Sequence, residues 1–194
     1  PLTRTFSFVL RGENLWDEAI VTRNSGGSIV QFHYGDDGID TTCVENQMCD
    51  LMLKSLETMT MRVERMAENA LAIAEALEGH KAVKRVVYPG LKSHPQHKLA
   101  MKQMKAGGTT VAIEFKADEA SVFKFMNALE VIDISNNLGD SKSLITHPSS
   151  TTHRRLSVEV QAEMGITPST VRLSVGIEHK DDLIKDLLNA LKVL

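Results

Sequence analysis

Cysteine is scarce in this sequence. Its two residues, Cys43 and Cys49, stand six apart with no histidine pair nearby. That is not a zinc spacing, and two thiols make no disulfide framework. With nine methionines in the same chain, the thiols suit a reducing cytoplasm, as inert and at least half-buried side chains. Long apolar runs are missing too, and none approaches the ~20 residues that cross a bilayer. The start, Pro1 to Arg11, has an apolar run too short and broken for a signal peptide. It also lacks an initiator methionine, as a processed or partial chain does. Neither sign of charge is in large excess. A net charge of −3 points to no nucleic-acid or membrane-surface partner.

What remains is an ordinary globular composition, 42% hydrophobic and 24% charged over 194 residues, enough for one good core or one domain with an extension. Residues 1–49 read differently from the rest. Glu18 to Arg23 and Ser28 to Tyr34 are strand-like, with Ile29, Gln31 and His33 alternating against Val30, Phe32 and Tyr34. Asn24-Ser25-Gly26-Gly27 between them supplies the positive φ of a tight turn, which predicts an N-terminal β-hairpin. Asp36, Asp37 and Asp40 invite a cation, but the spacing is not that of a calcium loop and no bidentate glutamate follows in register. A solvated acidic turn accounts for them on backbone grounds alone.

From Asp50 to Leu77 the period changes. Leu56, Met59, Val63, Met66, Ala70, Ile73 and Leu77 recur at steps of three and four, which predicts one long amphipathic helix over 50–79 that Gly79 ends. Its methionine-rich stripe reads as a core face rather than a binding face. Beyond it, elements alternate. Strands are expected at Val83–Tyr88, Thr109–Phe115, Glu130–Ser135 and Thr170–Val175. Helices are expected after Pro95, after Asp118, after Ser157 and in the last turns of the chain, where Ile184, Leu187, Leu188 and Leu191 form the expected buried face. Asn136 to His153 shows no pattern and reads as a long functional loop. The whole predicts a layered α/β sandwich, helices covering a small sheet, over residues 80–194.

Two runs in that region carry chemistry. Ser135-Asn136-Asn137-Leu138-Gly139-Asp140-Ser141-Lys142-Ser143-Leu144-Ile145-Thr146-His147-Pro148 opens where an apolar strand stops. Val171 to Glu178 is a second strand with a single arginine, Arg172, inside it. A guanidinium offers a rigid two-pronged donor for a carboxylate, and a structural ion pair is the plainer alternative. His147 and His153 lack a third metal ligand in pattern, so packing or hydrogen bonding suits them better. Ser150 beside them has no orienting acid and no nucleophile turn.

Together with Thr151-Thr152-His153, these two runs resemble the C-terminal small domain of the Cys/Met-metabolism enzymes that use pyridoxal phosphate, members of fold type I. That family includes the cystathionine synthases and lyases, methionine γ-lyase and the homoserine sulfhydrylases. The paired asparagines and Lys142-Ser143-Leu144-Ile145-Thr146 most resemble the O-succinylhomoserine sulfhydrylase branch. The resemblance runs from about Leu51 to Leu194 and leaves residues 1–50 uncovered. It implies that helix 50–79 connects a cofactor domain to this small domain, and that an amino-acid substrate's carboxylate is held by Arg172 and Asn137, with Ser143, Leu144 and Thr152 lining the same region. For Asn137 and Ser143 the alternative is loop-stabilising hydrogen bonding.

The resemblance also implies what this chain lacks. In the family, the lysine that holds the cofactor precedes the connecting helix by a few tens of residues, whereas residues 1–53 here contain no lysine. No catalytic, cofactor-binding or metal-binding residue is therefore expected. Pyridoxal phosphate is not expected to bind this chain alone, and activity is expected to be absent. A homo-oligomer in the cytoplasm, without nucleic acid or membrane, completes the expectation. A non-catalytic association domain is the alternative, because losing a cofactor domain would uncover the apolar stripe of helix 50–77. Residues 22–40 also resemble a short segment of the largest subunit of multisubunit RNA polymerases. They lack the catalytic aspartate cluster of those enzymes, so polymerase activity is not implied.

Overall fold

The computed structural model describes residues 5–8, 19–23, 29–34, 39–41 and 46–194, with side chains from Met52 onward. The chain divides into two compact units, Pro1–Met59 and Thr60–Leu194.

In the first unit, β1 (Thr5–Phe8), β2 (Ala19–Arg23), β3 (Ile29–Tyr34) and β4 (Ile39–Thr41) form an antiparallel sheet in that order, followed by α1 (Asn46–Glu57). The two strands of the expected hairpin pair antiparallel, from Ala19 opposite Tyr34 to Thr22 opposite Gln31, with a register shift before Arg23. They are the middle of a larger sheet rather than an isolated pair. A lone two-stranded hairpin is marginal in water, and the outer strands satisfy both of its edges. The turn at 24–27, the acidic residues Asp36 and Asp37, and Cys43 lie outside the described residues, while Asp40 falls in β4 and Cys49 in α1.

The single helix expected over 50–77 is two helices, α1 and α2 (Met59–Leu77), with Thr58 outside both. Two threonines lie at this junction, Thr58 and Thr60, and β-branched threonine is a poor helix former. Burial on α2 begins only at Met66 and continues through Ala67, Asn69, Ala70, Ile73, Ala74 and Leu77, while Val63 is 44% exposed. The stripe is thus core in its C-terminal part alone.

The second unit carries a five-stranded sheet in the order β5 (Val83–Val87), β6 (Thr110–Phe115), β9 (Thr170–Ser174), β8 (Leu144–Thr146), β7 (Asp133–Ile134). All neighbours are antiparallel except β7 and β8. Helices α3 (His97–Gln103), α4 (Glu119–Asn127), α5 (Val158–Glu163) and α6 (Lys180–Ala190) complete the layered α/β architecture expected of the sequence. Asp118 and Ser157 cap α4 and α5 by accepting from the backbone N–H of Ser121 and Val160.

The register fixes two faces. Val111, Leu173 and Ile145 stand in one row across β6, β9 and β8, and Ile113 opposes Val171. These pack with Ala70, Ile73 and Leu77 of α2, Phe125 of α4, and Leu183 and Leu187 of α6 in one buried cluster. The Phe115 and Phe125 rings meet at 4.7 Å, tilted by 56°. The next row, Ala112, Arg172 and Thr146, points to the other face.

Three expectations are corrected here. The stretch 136–153 is not structureless, since Leu144–Thr146 forms β8, hydrogen-bonded on both sides. A three-residue strand has no period to read, and its neighbours create it. The strand expected over 130–135 shrinks to Asp133–Ile134, because Glu130, Val131 and Ile132 donate their backbone N–H groups to the buried carboxylate of Asp186 at 2.9, 3.0 and 3.1 Å. The inner face of α6 is also turned from the expected one. Leu183, Asp186, Leu187 and Ala190 are buried, while Ile184 and Leu188 pack at its margin.

Replacing Asp186 by Ala leaves the N–H groups of Glu130, Val131 and the buried Ile132 without their acceptor and is expected to cost about 2 kcal/mol, with Asp186→Asn costing less because one acceptor oxygen remains. Urea unfolding checks both. Tyr88 is buried, donates to Gly108 O at 2.9 Å and Ala67 O at 3.3 Å, and desolvation pushes its phenol up to about 12. The unfolded phenol loses its proton near pH ~10. The stabilisation is therefore whole below about pH 10 and is lost as pH rises through about 12. Phenolate absorbance should show the late titration, and Tyr88→Phe should remove that part of the alkaline destabilisation.

Candidate functional site

Arg172 sits at the centre of β9, half-buried, flanked by Ala112 on β6 and Thr146 on β8. Its Nη2 donates to the backbone carbonyls of Asn136 at 2.9 Å and Asn137 at 3.4 Å. Its Nε is buried without a hydrogen-bond partner. Among the described residues no carboxylate forms an ion pair with it, so the plainer reading of a structural ion pair finds no partner. Burial lowers the guanidinium from its ordinary value, yet an arginine keeps its charge. A half-buried, cationic and underused fork of N–H donors is suited to a carboxylate.

The loop beside it is strapped to β9 and the residues that follow. Gly139 donates its N–H to Ser174 Oγ at 3.0 Å, and Ser141 O accepts from Ile177 N at 2.9 Å. Ser143 is fully buried. Its N–H and hydroxyl both donate to the Glu178 carboxylate, at 2.6 and 2.9 Å, while its Oγ accepts from Gly176 N at 2.9 Å. From the other side Asn69 of α2 donates to Gly176 O and Glu178 O at 3.0 and 2.8 Å. A Cβ on Gly176 would lie 2.5 Å from Ser141 O, so only glycine allows this approach.

An open groove of about 410 Å³ adjoins Arg172 through Asn136 and is otherwise lined by Ser150, Thr151, Thr152, Arg154 and Arg155. Thr152 lies in that wall and its hydroxyl bonds His153 Nδ1 at 2.8 Å. Asn137 is exposed and gives Arg172 its carbonyl. Arg172, Asn137 and Thr152 thus fall in one region. Ser143 does not share it with a free hydroxyl, and Leu144 is buried beside it. His147 is buried with both ring nitrogens engaged, Nε2 to Pro168 O at 2.9 Å and Nδ1 to Ser150 Oγ at 2.8 Å, with the Phe123 ring edge-on at 4.9 Å. A carbonyl can only accept, so Nε2 donates to Pro168 O. Among the described residues no group of three or more His, Cys, Asp or Glu could hold a metal ion, and no helix is long and apolar enough to cross a membrane.

The family model for Cys/Met metabolism PLP-dependent enzymes matches residues 33–192. This chain belongs to that family. The match reaches back past Leu51, where the sequence resemblance begins, and takes in residues 33–40 of the run that resembles a polymerase segment. Over 145 residues the chain is 48% identical to an O-succinylhomoserine sulfhydrylase of Mycobacterium tuberculosis, covering 73% of this chain and 36% of that one. A second O-succinylhomoserine sulfhydrylase, from Pseudomonas aeruginosa, is 42% identical over 144 residues, 74% of this chain and 36% of its own. Among solved structures, cystathionine gamma synthase from Xanthomonas oryzae pv. oryzae, in complex with aminoacrylate and cysteine, superposes with a TM-score of 0.72 at 40% identity, over 76% of this chain and 38% of that one. The MetY protein of Campylobacter jejuni, solved with N′-pyridoxyl-lysine-5′-monophosphate, gives 0.74 at 38% identity, over 81% and 37%. The chain therefore spans little more than a third of the length of these relatives.

The family depends on pyridoxal phosphate, whose aldehyde needs an amine. No lysine lines the groove beside Arg172, and Lys142, in the strapped loop, is paired with Asp133 at 3.0 Å. The residues gathered here fit the carboxylate of an amino acid and do not by themselves fit the cofactor. Glu178, Asn69 and Gln161 escape a reading of the sequence. Gln161 accepts from Ser149 and donates to the carbonyls of His153 and Leu156. Their signal is a polar side chain inside an otherwise apolar pattern, which alone does not say what it holds.

Glu178→Ala should release Ser143 and cost about 2 kcal/mol. Faster amide exchange at Ser143, by more than at Val111 in the core, is the expected signature, and Glu178→Gln should recover only part of the loss.

Proposed function

We propose that this chain is the C-terminal, substrate-carboxylate-holding part of a PLP-dependent sulfur amino-acid enzyme of the O-succinylhomoserine sulfhydrylase kind, which replaces the γ-substituent of an activated homoserine with sulfide. The observation that carries the reading is Arg172, cationic and half-buried, without a carboxylate partner among the described residues and hydrogen-bonded to Asn136, which lines the groove together with Thr152. The 48% identity to an O-succinylhomoserine sulfhydrylase supports that branch of the family. Arg172 holds the amino acid's carboxylate, and Asn136 and Asn137 orient the guanidinium through their carbonyls. Asn137 and Thr152 add polar groups at the rim. Ser143 acts indirectly, by fixing the loop to Glu178.

When bound, the cofactor supplies the electron sink for a carbanion. With no amine in the groove, the chain on its own neither binds it at a defined site nor turns over, and its whole activity needs the remainder that the relatives possess. It works in the cytoplasm as part of a homo-oligomer. A second reading, a non-catalytic association domain, is favoured by Met61 and Val63 on α2, which are 72% and 44% exposed.

Purified chain incubated with pyridoxal phosphate and borohydride should show no stoichiometric adduct by intact mass. It should form no homocysteine from O-succinylhomoserine and sulfide. One adduct on a single lysine, or cofactor-dependent turnover, would falsify the inactive-part reading. Calorimetric titration with O-succinylhomoserine should show weak binding that Arg172→Ala weakens by about tenfold or more and that Arg172→Lys only partly restores. Equal binding by all three chains would refute the carboxylate role.

A further inference from the structure

Strand β5 forms one side of the sheet, with β6 its only strand neighbour among the described residues. A groove of about 610 Å³ is lined by five consecutive residues of that strand, Val83 to Val87. Alternate side chains of a strand point to opposite faces, so a groove over one face meets every second residue. A register shift between Val83 and Arg85 breaks that alternation, but a groove that also meets Arg85, Val86 and Val87 in succession runs along the strand's open edge. There the backbone groups turned away from β6 have no strand partner. Among the described residues the only other main-chain bond from these residues is Val83 N to His80 O at 2.9 Å.

The charge along this edge has one dominant sign. Three cations, Lys84, Arg85 and Lys116, line the groove against the single acid Glu78, which accepts from Ser93. A second hollow of about 370 Å³ shares His80 and Lys116 and adds Lys81 and Lys192. Glu114 pairs with both Lys84 and Arg85, at 2.8 and 3.5 Å, but it is buried while their side chains stay 60% and 55% exposed. One buried carboxylate leaves this pair with a net positive charge at the surface. The chain as a whole carries −3, so the cationic edge is a local feature and not a consequence of composition.

We propose that the β5 edge is a docking site for an extended acidic peptide segment of a partner protein, which adds to the sheet as a further strand. Main-chain hydrogen bonds to Val83–Val87 provide the pairing, and the flanking lysines and Arg85 select acidic side chains on the incoming strand. Charged edges also discourage indiscriminate strand addition, and with one sign of charge they admit the opposite sign.

The probe is an end-blocked, fluorescein-labelled peptide of alternating glutamate and valine, titrated into the full chain by fluorescence anisotropy. The expected result is saturable binding that falls as salt rises, with slowed amide exchange at residues 83–87. Lys81→Glu combined with Lys116→Glu should weaken it by about tenfold or more, and circular dichroism confirms that the variant is folded. N-methylation of alternate peptide bonds in the probe should abolish binding while leaving its charge untouched. The proposal is overturned if the probe does not bind, if the N-methylated peptide or a lysine–valine peptide binds equally well, or if exchange at 83–87 is unchanged. It is also overturned if β5 is covered by a second copy of the chain, seen as concentration-dependent self-association that the same charge reversals abolish.

Discussion

Because Thr170–Ser174 is hydrogen-bonded to β6 on one side and to β8 on the other, its side chains cannot choose their faces. Val171, Leu173 and Val175 enter the core, and Arg172 and Ser174 are carried to the opposite face. A slip of one residue would drive the guanidinium into the apolar cluster and expose three fully buried side chains. Core packing and the placing of the cation are one constraint, set by a single register.

Around that strand the polar residues work as fasteners. Arg172 holds the carbonyls of Asn136 and Asn137, Ser174 holds Gly139, Glu178 holds Ser143, and Asn69 holds Gly176 and Glu178. Buried polar groups of this kind are costly when single and specific when satisfied. Among the described residues, two atoms depart from the rule. Asn69 Oδ1 and Arg172 Nε are both buried without partners. Only Arg172 lies beside the open groove, through Asn136, and it alone carries charge.

Much of the architecture was legible without coordinates. Asp118 and Ser157 announce their helices because a short side-chain oxygen at that place satisfies an otherwise free N–H. The alternation of Val111, Ile113 and Phe115 announces β6 because the period of a strand is two. Where the sequence misled, the deciding partner was remote in the chain. Asp186 draws off the N–H groups of 130–132 and shortens β7 from 54 to 56 residues away. β8 exists because strands on both sides complete it. The margin residues Ile184 and Leu188 look as buried as Leu183 and Leu187 until the sheet supplies a direction.

Of the site, Arg172 stood out because a lone charge in an apolar strand has few plain explanations, and the motifs around it marked the family. Ser143 looked like a lining residue, and its hydroxyl turned out to be engaged by Glu178 and Gly176. By itself the sequence determined the periodic elements, their caps, the family and the candidate cation, because each of these is written in neighbouring residues. Only the tertiary structure decided which face of α6 is inside, that a strand lies within 136–153, which polar side chains are fasteners, and that β5 has an open cationic edge. Those depend on residues far apart in the chain meeting in space, and no local pattern records that meeting.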